Sequence, residues 1–160
     1  MKILAVDPGP TESAYVVYDT VTKCPIEWEK VTNEKVLKVI TLSDSNSFAI
    51  ECIASYGMAV GATVFETCIW VGRFIQCWCG KHDPIRVYRR EVKLHLCGLA
   101  RAKDSNIRQA IIDRYGPTKQ IAVGLKASPG VLYGMKADCW QALGVAITAA
   151  ETRLGDLSIA

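Results

Sequence analysis

The sequence predicts an α/β fold, a mixed five-stranded sheet flanked by helices. Two short runs, the apolar Ile3-Leu4-Ala5-Val6 and the mostly apolar Ser47-Phe48-Ala49-Ile50, read as buried strands. Residues 13–19, SAYVVYD, alternate and are rich in Val and Tyr, the pattern of an antiparallel partner for the first run. Helical stretches separate the later strands, which therefore join the sheet in parallel.

Residues 2–6 and 13–19 form a hairpin across the Pro8-Gly9-Pro10-Thr11 turn, and residues 24–31 supply a third strand after a turn at 20–23. A helix over residues 33–42 follows, with Val36, Leu37, Val39 and Ile40 apolar and Asn33 as its cap. The fourth strand, 47–50, ends at Glu51 and runs into a glycine-containing loop, ASYGMAVGA. A long helix over residues 60–79 carries two apolar stripes. One holds Met58, Ala62, Phe65, Ile69 and Gly72, the other Val60, Val64, Val71, Phe74 and Trp78. A helix apolar on two sides is either sandwiched in a core or paired with a second subunit, and in a chain this small a homodimer is expected. Residues 83–88 make the last strand and 89–97 a short basic helix or turn. Residues 103–115 form a helix capped by Asp104 or Ser105 and ended by Gly116-Pro117. Residues 120–133, punctuated by Gly and Pro, read as a loop, and a final helix covers 136–154.

The chain has 160 residues, half of them hydrophobic, with no linker-like or repeated segment, and is expected to form one domain over 1–160. Its formal charge is only +3, but residues 86–108 hold seven Lys/Arg against two acids, a local stripe suited to a polyanion or to a solvated helix surface. The cysteines, an odd seven, lie mostly in apolar runs and without a signal peptide, so they read as reduced thiols in a cytoplasmic protein. Cys77 and Cys79 lack a second cysteine pair, and His82 alone does not complete a zinc set. No apolar run has the length of a membrane span.

The chemistry is carried by acids. Asp7 ends the first strand where Pro8 and Gly9 keep the chain from covering it, although Asp-Pro-Gly is also ordinary turn chemistry. Glu51 ends the fourth strand in the same way. Asp138 opens the last helix on the stripe of Gln141, Ala142, Val145 and Ala149, so it continues the packing face; the plainer role is a charge on the helix dipole. If the first and fourth strands are neighbours, the three carboxylates meet at one sheet edge. Clustered carboxylates repel and call for divalent cations, and hard oxygen donors suit Mg2+ or Mn2+. Such ions can drive phosphodiester cleavage, with a basic stripe nearby to hold the phosphate backbone.

The pattern Val6-Asp7-Pro8-Gly9, then Ile50-Glu51, then Ala137-Asp138 ahead of Ala142-Leu143-Gly144-Val145-Ala146, resembles the RuvC-type Holliday junction resolvases of the RNase H-like superfamily. The phage branch is the nearer likeness, through residues 7–18, 51–74 and 101–112. The resemblance covers almost the whole chain. It implies an RNase H-like fold, a homodimer packed across the 60–79 helix, and Mg2+-dependent nicking of four-way or other branched DNA. It implies a bacterial cytoplasm as the setting if the chain is phage-encoded.

Carried over by residue, Asp7, Glu51 and Asp138 match metal-binding acids, and Lys103 matches a basic residue near the scissile phosphate. Cellular members have a further acid where this chain has Gln141, and Asp104 is the candidate substitute. Tyr56 matches an aromatic that inserts at the junction centre, its alternative being packing against the next helix. Arg89, Arg90, Lys93 and Arg101 are expected to touch the DNA backbone without reading sequence. Glu12, Glu66 and Asp113 read as surface or structural acids. Two alternatives stand beside this reading: a weak or inactive branched-DNA binder, favoured by Gln141, and an RNase H-like nuclease acting on RNA-containing substrates.

Overall fold

The computed structural model describes residues 1–55, 57, 59–80 and 82–153. Tyr56 and Met58, named above for stacking and for the outer helix stripe, lie outside the described residues. Strands β1 (Lys2–Asp7), β2 (Glu12–Asp19) and β3 (Cys24–Thr32) form an antiparallel meander. Helix α1 (Asn33–Leu42) leads to β4 (Ser47–Cys52), α2 (Ala62–Cys77) to β5 (Ile85–Tyr88). Helices α3 (Arg89–Cys97), α4 (Asp104–Tyr115), α5 (Lys119–Ala122) and α6 (Cys139–Thr152) complete the order. The sheet reads β3-β2-β1-β4-β5, with β1, β4 and β5 parallel and β2 antiparallel to β1. The expected mixed five-stranded sheet is therefore present, and β1 and β4 are direct neighbours.

Strand alternation sorts the side chains into two cores. Ile3, Ala5, Ala14, Ala49 and Val87 face α3, α4 and α6, whereas Leu4, Val6, Tyr15, Phe48 and Ile50 face α1 and α2. Helix α6 is buried at every residue from Cys139 to Ala149, as befits an uncharged segment that packs against the sheet, α3 and α4. Gly144 permits the closest approach: a Cβ there would stand 3.1 Å from Val92 and 3.5 Å from Ile107. On α2 the stripes separate by exposure. Phe74 is buried and Val64, Val71 and Trp78 are partly covered, but Phe65 and Ile69 remain 59% and 56% exposed.

Four expectations are corrected. Residue Thr32, not Asn33, takes the N-cap position of α1; Asn33 is fully buried and does different work. Neither Asp104 nor Ser105 caps α4; Lys103 is the N-cap, and its N–H donates to Asn106 Oδ1 at 2.8 Å. The 120–133 segment is not wholly a loop. It holds most of α5 and a small hairpin, β6 (Gly124–Leu125) with β7 (Ser128–Pro129), anchored by the buried side chains of Ala122 and Leu132. Elements this short show no period in sequence. The last helix begins at Cys139, three residues later than expected, because the chain turns through Ala137 at φ 45°.

Asn33 fixes the turn that follows β1. Its Nδ2 donates to the Gly9 carbonyl at 3.0 Å, and its Oδ1 accepts from Ser13 Oγ at 2.6 Å. The Gly9 N–H in turn donates to Ser13 Oγ at 3.0 Å. Gly9 has no room for a side chain, since a Cβ would stand 2.2 Å from the Glu12 carbonyl oxygen. Replacing Asn33 by Ala strands these buried partners and is expected to lower the unfolding free energy by about 2 kcal/mol, measured by urea denaturation. A loss within error of zero would show that the turn holds without it.

Candidate active site

The register of the sheet builds the site. Val6 pairs with Ile50 across β1 and β4, so Asp7 and Glu51 end adjacent parallel strands on the same face. That face is the one covered by α6, since Ala5 and Ala49, two residues back, belong to the same core. Asp138 is the N-cap of α6, and Asp104 opens α4. Arg89, the first residue of α3, follows directly from β5. Three helices thus begin at the edge where the strands end, and their N-terminal N–H groups favour the acids gathered there.

The charges feel one another. Burial raises the Asp7 carboxyl well above the usual carboxylate range, with the Glu51 charge adding to it; Arg89 lowers it, and Asp138 and Asp104 raise it further. Glu51 is also raised, by burial, against the pull of Arg89. Its side chain is only 12% exposed. Arg89 bridges two of the acids. Its Nη1 donates to Glu51 Oε2 at 3.1 Å and Oε1 at 3.3 Å, and its Nη2 lies 2.8 Å from Asp104 Oδ2. Burial works against the Arg89 charge, but the Glu51 charge and the Asp104 hydrogen bond outweigh it. Asp138 is met by Lys30, Nζ to Oδ2 at 2.7 Å.

Sequence reasoning did not single out Lys30. It sits in a row across three strands: Asp7 pairs with Ala14, and Ala14 with Lys30. Its side chain and that of Asp138 are 36% and 49% exposed, so the pair is worth about 0–1 kcal/mol and opens readily. Asp138 therefore does not continue the packing face of α6, as its helical spacing suggested. It stands ahead of the helix, half in solvent. Arg89, expected at the DNA backbone, is partly buried and engaged with two of the acids in the free chain.

Asp7, Glu51, Asp104 and Asp138 are thus brought to one edge, with Lys93 close enough to lower Glu51. Arg90, Arg101 and Lys103 are exposed at or beside the starts of α3 and α4. Gln141, 8% exposed, carries a buried Oε1 with no hydrogen-bond partner among the described residues. Cys139 beside Asp138 is buried, which pushes its thiol up to about 11 and keeps it protonated at neutral pH. Among the described residues, no three His, Cys, Asp or Glu side chains are already gathered in a metal-holding arrangement. The donor chemistry nevertheless fits a divalent cation: hard carboxylate oxygens in mutual repulsion, two of them on strand ends. What separates the oxygens of Glu51 and Asp104 is the Arg89 guanidinium.

The fold is shared with solved structures of Holliday junction resolvases. RuvC of Thermus thermophilus superposes with a TM-score of 0.68 at 19% identity, over 97% of this chain and 97% of that one. T. thermophilus RuvC in complex with a Holliday junction gives 0.60 at 18% identity, over 97% and 96%. The Fowlpox virus resolvase in complex with Holliday junction DNA gives 0.52 at 15% identity, over 94% and 99%. No protein-family model and no curated protein matches the sequence.

Because the Asp7 carboxyl is raised on folding, it contributes stability that is full below about pH 4 and is lost as pH rises through its folded pKa. In EDTA, Asp7→Asn is therefore expected to raise Tm at neutral pH, by about 2–4 °C for each kcal/mol relieved. The gain should vanish in acid. Thermal scans across pH check this; parallel curves for the two proteins would place the Asp7 charge outside any cluster.

Proposed function

We propose that this protein is a structure-selective endonuclease that nicks four-way and other branched DNA, with the chain acting as one domain over 1–160. One observation carries the reading: acids from separate segments, Asp7, Glu51, Asp104 and Asp138, share one sheet edge in a fold common to junction resolvases. Asp7, Glu51 and Asp138 would hold Mg2+, for which Mn2+ can substitute, with Asp104 taking the place of the acid that Gln141 replaces. Bound there, divalent ions activate water and stabilise the departing oxygen of a phosphodiester.

The chain's own residues do the remainder. Lys103, exposed at the start of α4, neutralises the phosphate under attack. Arg90, Lys93 and Arg101 hold the flanking backbone, which gives affinity without sequence readout. Tyr56, which falls between β4 and α2 in the sequence, is the stacking residue for an opened junction centre. The free state of all seven cysteines suits a reducing, cytoplasmic setting, and among the described residues no helix is long and apolar enough to cross a membrane.

The exposed stripe of α2 supports a homodimer. Ala62, Phe65, Ile69 and Gly72 recur at the three- and four-residue spacing of a helix–helix seam, with small residues at both ends to admit close approach. The second reading, a branched-DNA binder of low activity, is favoured by Gln141 and by the guanidinium lodged among the acids. Action on RNA-containing substrates is separated from both by substrate competition.

The decisive experiment mixes the protein with a labelled four-way junction in Mg2+ or Mn2+. Nicks are expected with the native chain, and Asp7→Asn should bind the junction without nicking it. Binding without nicks by the native chain in either metal would move the assignment to the second reading. For the dimer, Ile69→Lys is expected to weaken self-association by about 30-fold or more, the scale of a 2 kcal/mol interface residue. Sedimentation equilibrium reads this directly, and an unchanged oligomeric state would send the interface elsewhere.

A further inference from the structure

The guanidinium of Arg89 occupies the space between two acids that a cation would otherwise join. It donates to both oxygens of Glu51 and reaches Asp104 Oδ2, with its side chain only 28% exposed. It also acts electrostatically on Asp7. The oxygens are therefore not free: to take a metal, Glu51 or Asp104 must first release a hydrogen-bonded, partly buried charge. Arg89 has a place to go. It opens α3 at the same edge as the exposed Arg90 and Lys103, where a phosphate would lie.

Resting on the nuclease reading above, we propose that Arg89 is a resident counter-ion exchanged for the divalent cation, so that metal entry and release of the guanidinium towards DNA phosphate are one coupled event. In the metal-free chain Arg89 holds the acids together and prevents their mutual repulsion from opening the site. A monovalent guanidinium is replaced by a divalent ion, which better neutralises the clustered carboxylates. The released guanidinium is uncompensated until a phosphate meets it. DNA therefore strengthens metal binding and metal strengthens DNA binding, by the same factor. Arg89 acts in this as a positioning residue.

The test is a binding measurement that needs no turnover. Calorimetric titration with Ca2+ and with Mg2+ is made on the native chain, Arg89→Gln and Arg89→Lys, each with and without a four-way junction carrying non-hydrolysable linkages. Without DNA, Arg89→Gln is expected to bind metal about 10-fold more tightly than the native chain, the scale on which groups around ligands tune affinity. The junction is expected to tighten metal binding to the native chain by about 5-fold or more, and to have little effect on Arg89→Gln. Arg89→Lys, which keeps the charge but not the fork, should fall between.

Should Arg89→Gln fail to fold in EDTA, the native chain still answers. Its Arg89 side-chain 15N resonance, assigned by absence from Arg89→Lys, must shift on metal addition and shift again with DNA. Metal that binds the native chain without moving that resonance, or no more tightly once Arg89 is gone, overturns the exchange and leaves the nuclease reading standing. Failure of metal to bind any of the three proteins, with or without DNA, overturns both.

Discussion

The mutual repulsion of four carboxylates at one end of the sheet is the constraint to which the surrounding structure answers. Asp7 and Glu51 are delivered by strand ends and are largely withdrawn from water, where a charge is hardest to keep. Left alone, such a pair would favour protonation or a wider separation of β1 and β4. The chain meets them with a guanidinium across Glu51 and Asp104, an ammonium on Asp138 and the N-terminal ends of α3, α4 and α6. None of these is strong enough to make the acids inert. The pair at Asp138 is half in solvent, and the guanidinium is not closed off.

Convergence of this kind follows from the topology. Parallel strands β1, β4 and β5 all end at the same edge, and the chain leaving β5 starts α3 there. Helix α6 must come close enough to present Asp138 beside Asp7, and its freedom from charge between Cys139 and Ala150 allows it to lie on the sheet, while the bare backbone of Gly144 admits α3 and α4 on its other side. The turn after Asp7 is fixed from the opposite direction. Buried Asn33 ties Gly9 and Ser13 together, so the strand end carrying Asp7 has little freedom to relax away from Glu51.

Much of this was legible in the sequence, and what was not has physical causes. Helix α1 keeps the boundaries read from its period, the basic segment 89–97 is a helix and not a turn, and the runs ending in Asp7 and Glu51 are neighbouring strands, the condition on which the meeting of the acids depended. Lys30 was hidden by a register shift. A bulge between Val17 and Tyr18 inserts one residue in β3, so counting back from the hairpin turn would set Glu29 opposite Ala14. The result would have been a fifth acid in place of a cation. Asn33 looked like a cap because capping and burial draw on the same side-chain amide. Asp138 looked buried because a helical stripe says nothing about where the helix begins, and Ala137 breaks the period one residue earlier.

Gln141 marks the point where sequence and structure are most informative together. A carboxylate at that depth would add a charge to a cluster already short of cations, at an electrostatic cost far above that of a neutral amide. The amide avoids that penalty but leaves its own Oε1 buried without a partner among the described residues, a smaller cost of about 1–3 kcal/mol. Asp104, at the more exposed start of α4, carries its charge where water screens it and where Arg89 reaches it. A strand-end acid and a rim acid are then joined by one long, forked cation, since the Arg89 guanidinium spans Glu51 and Asp104 where a shorter ammonium would meet only one of them.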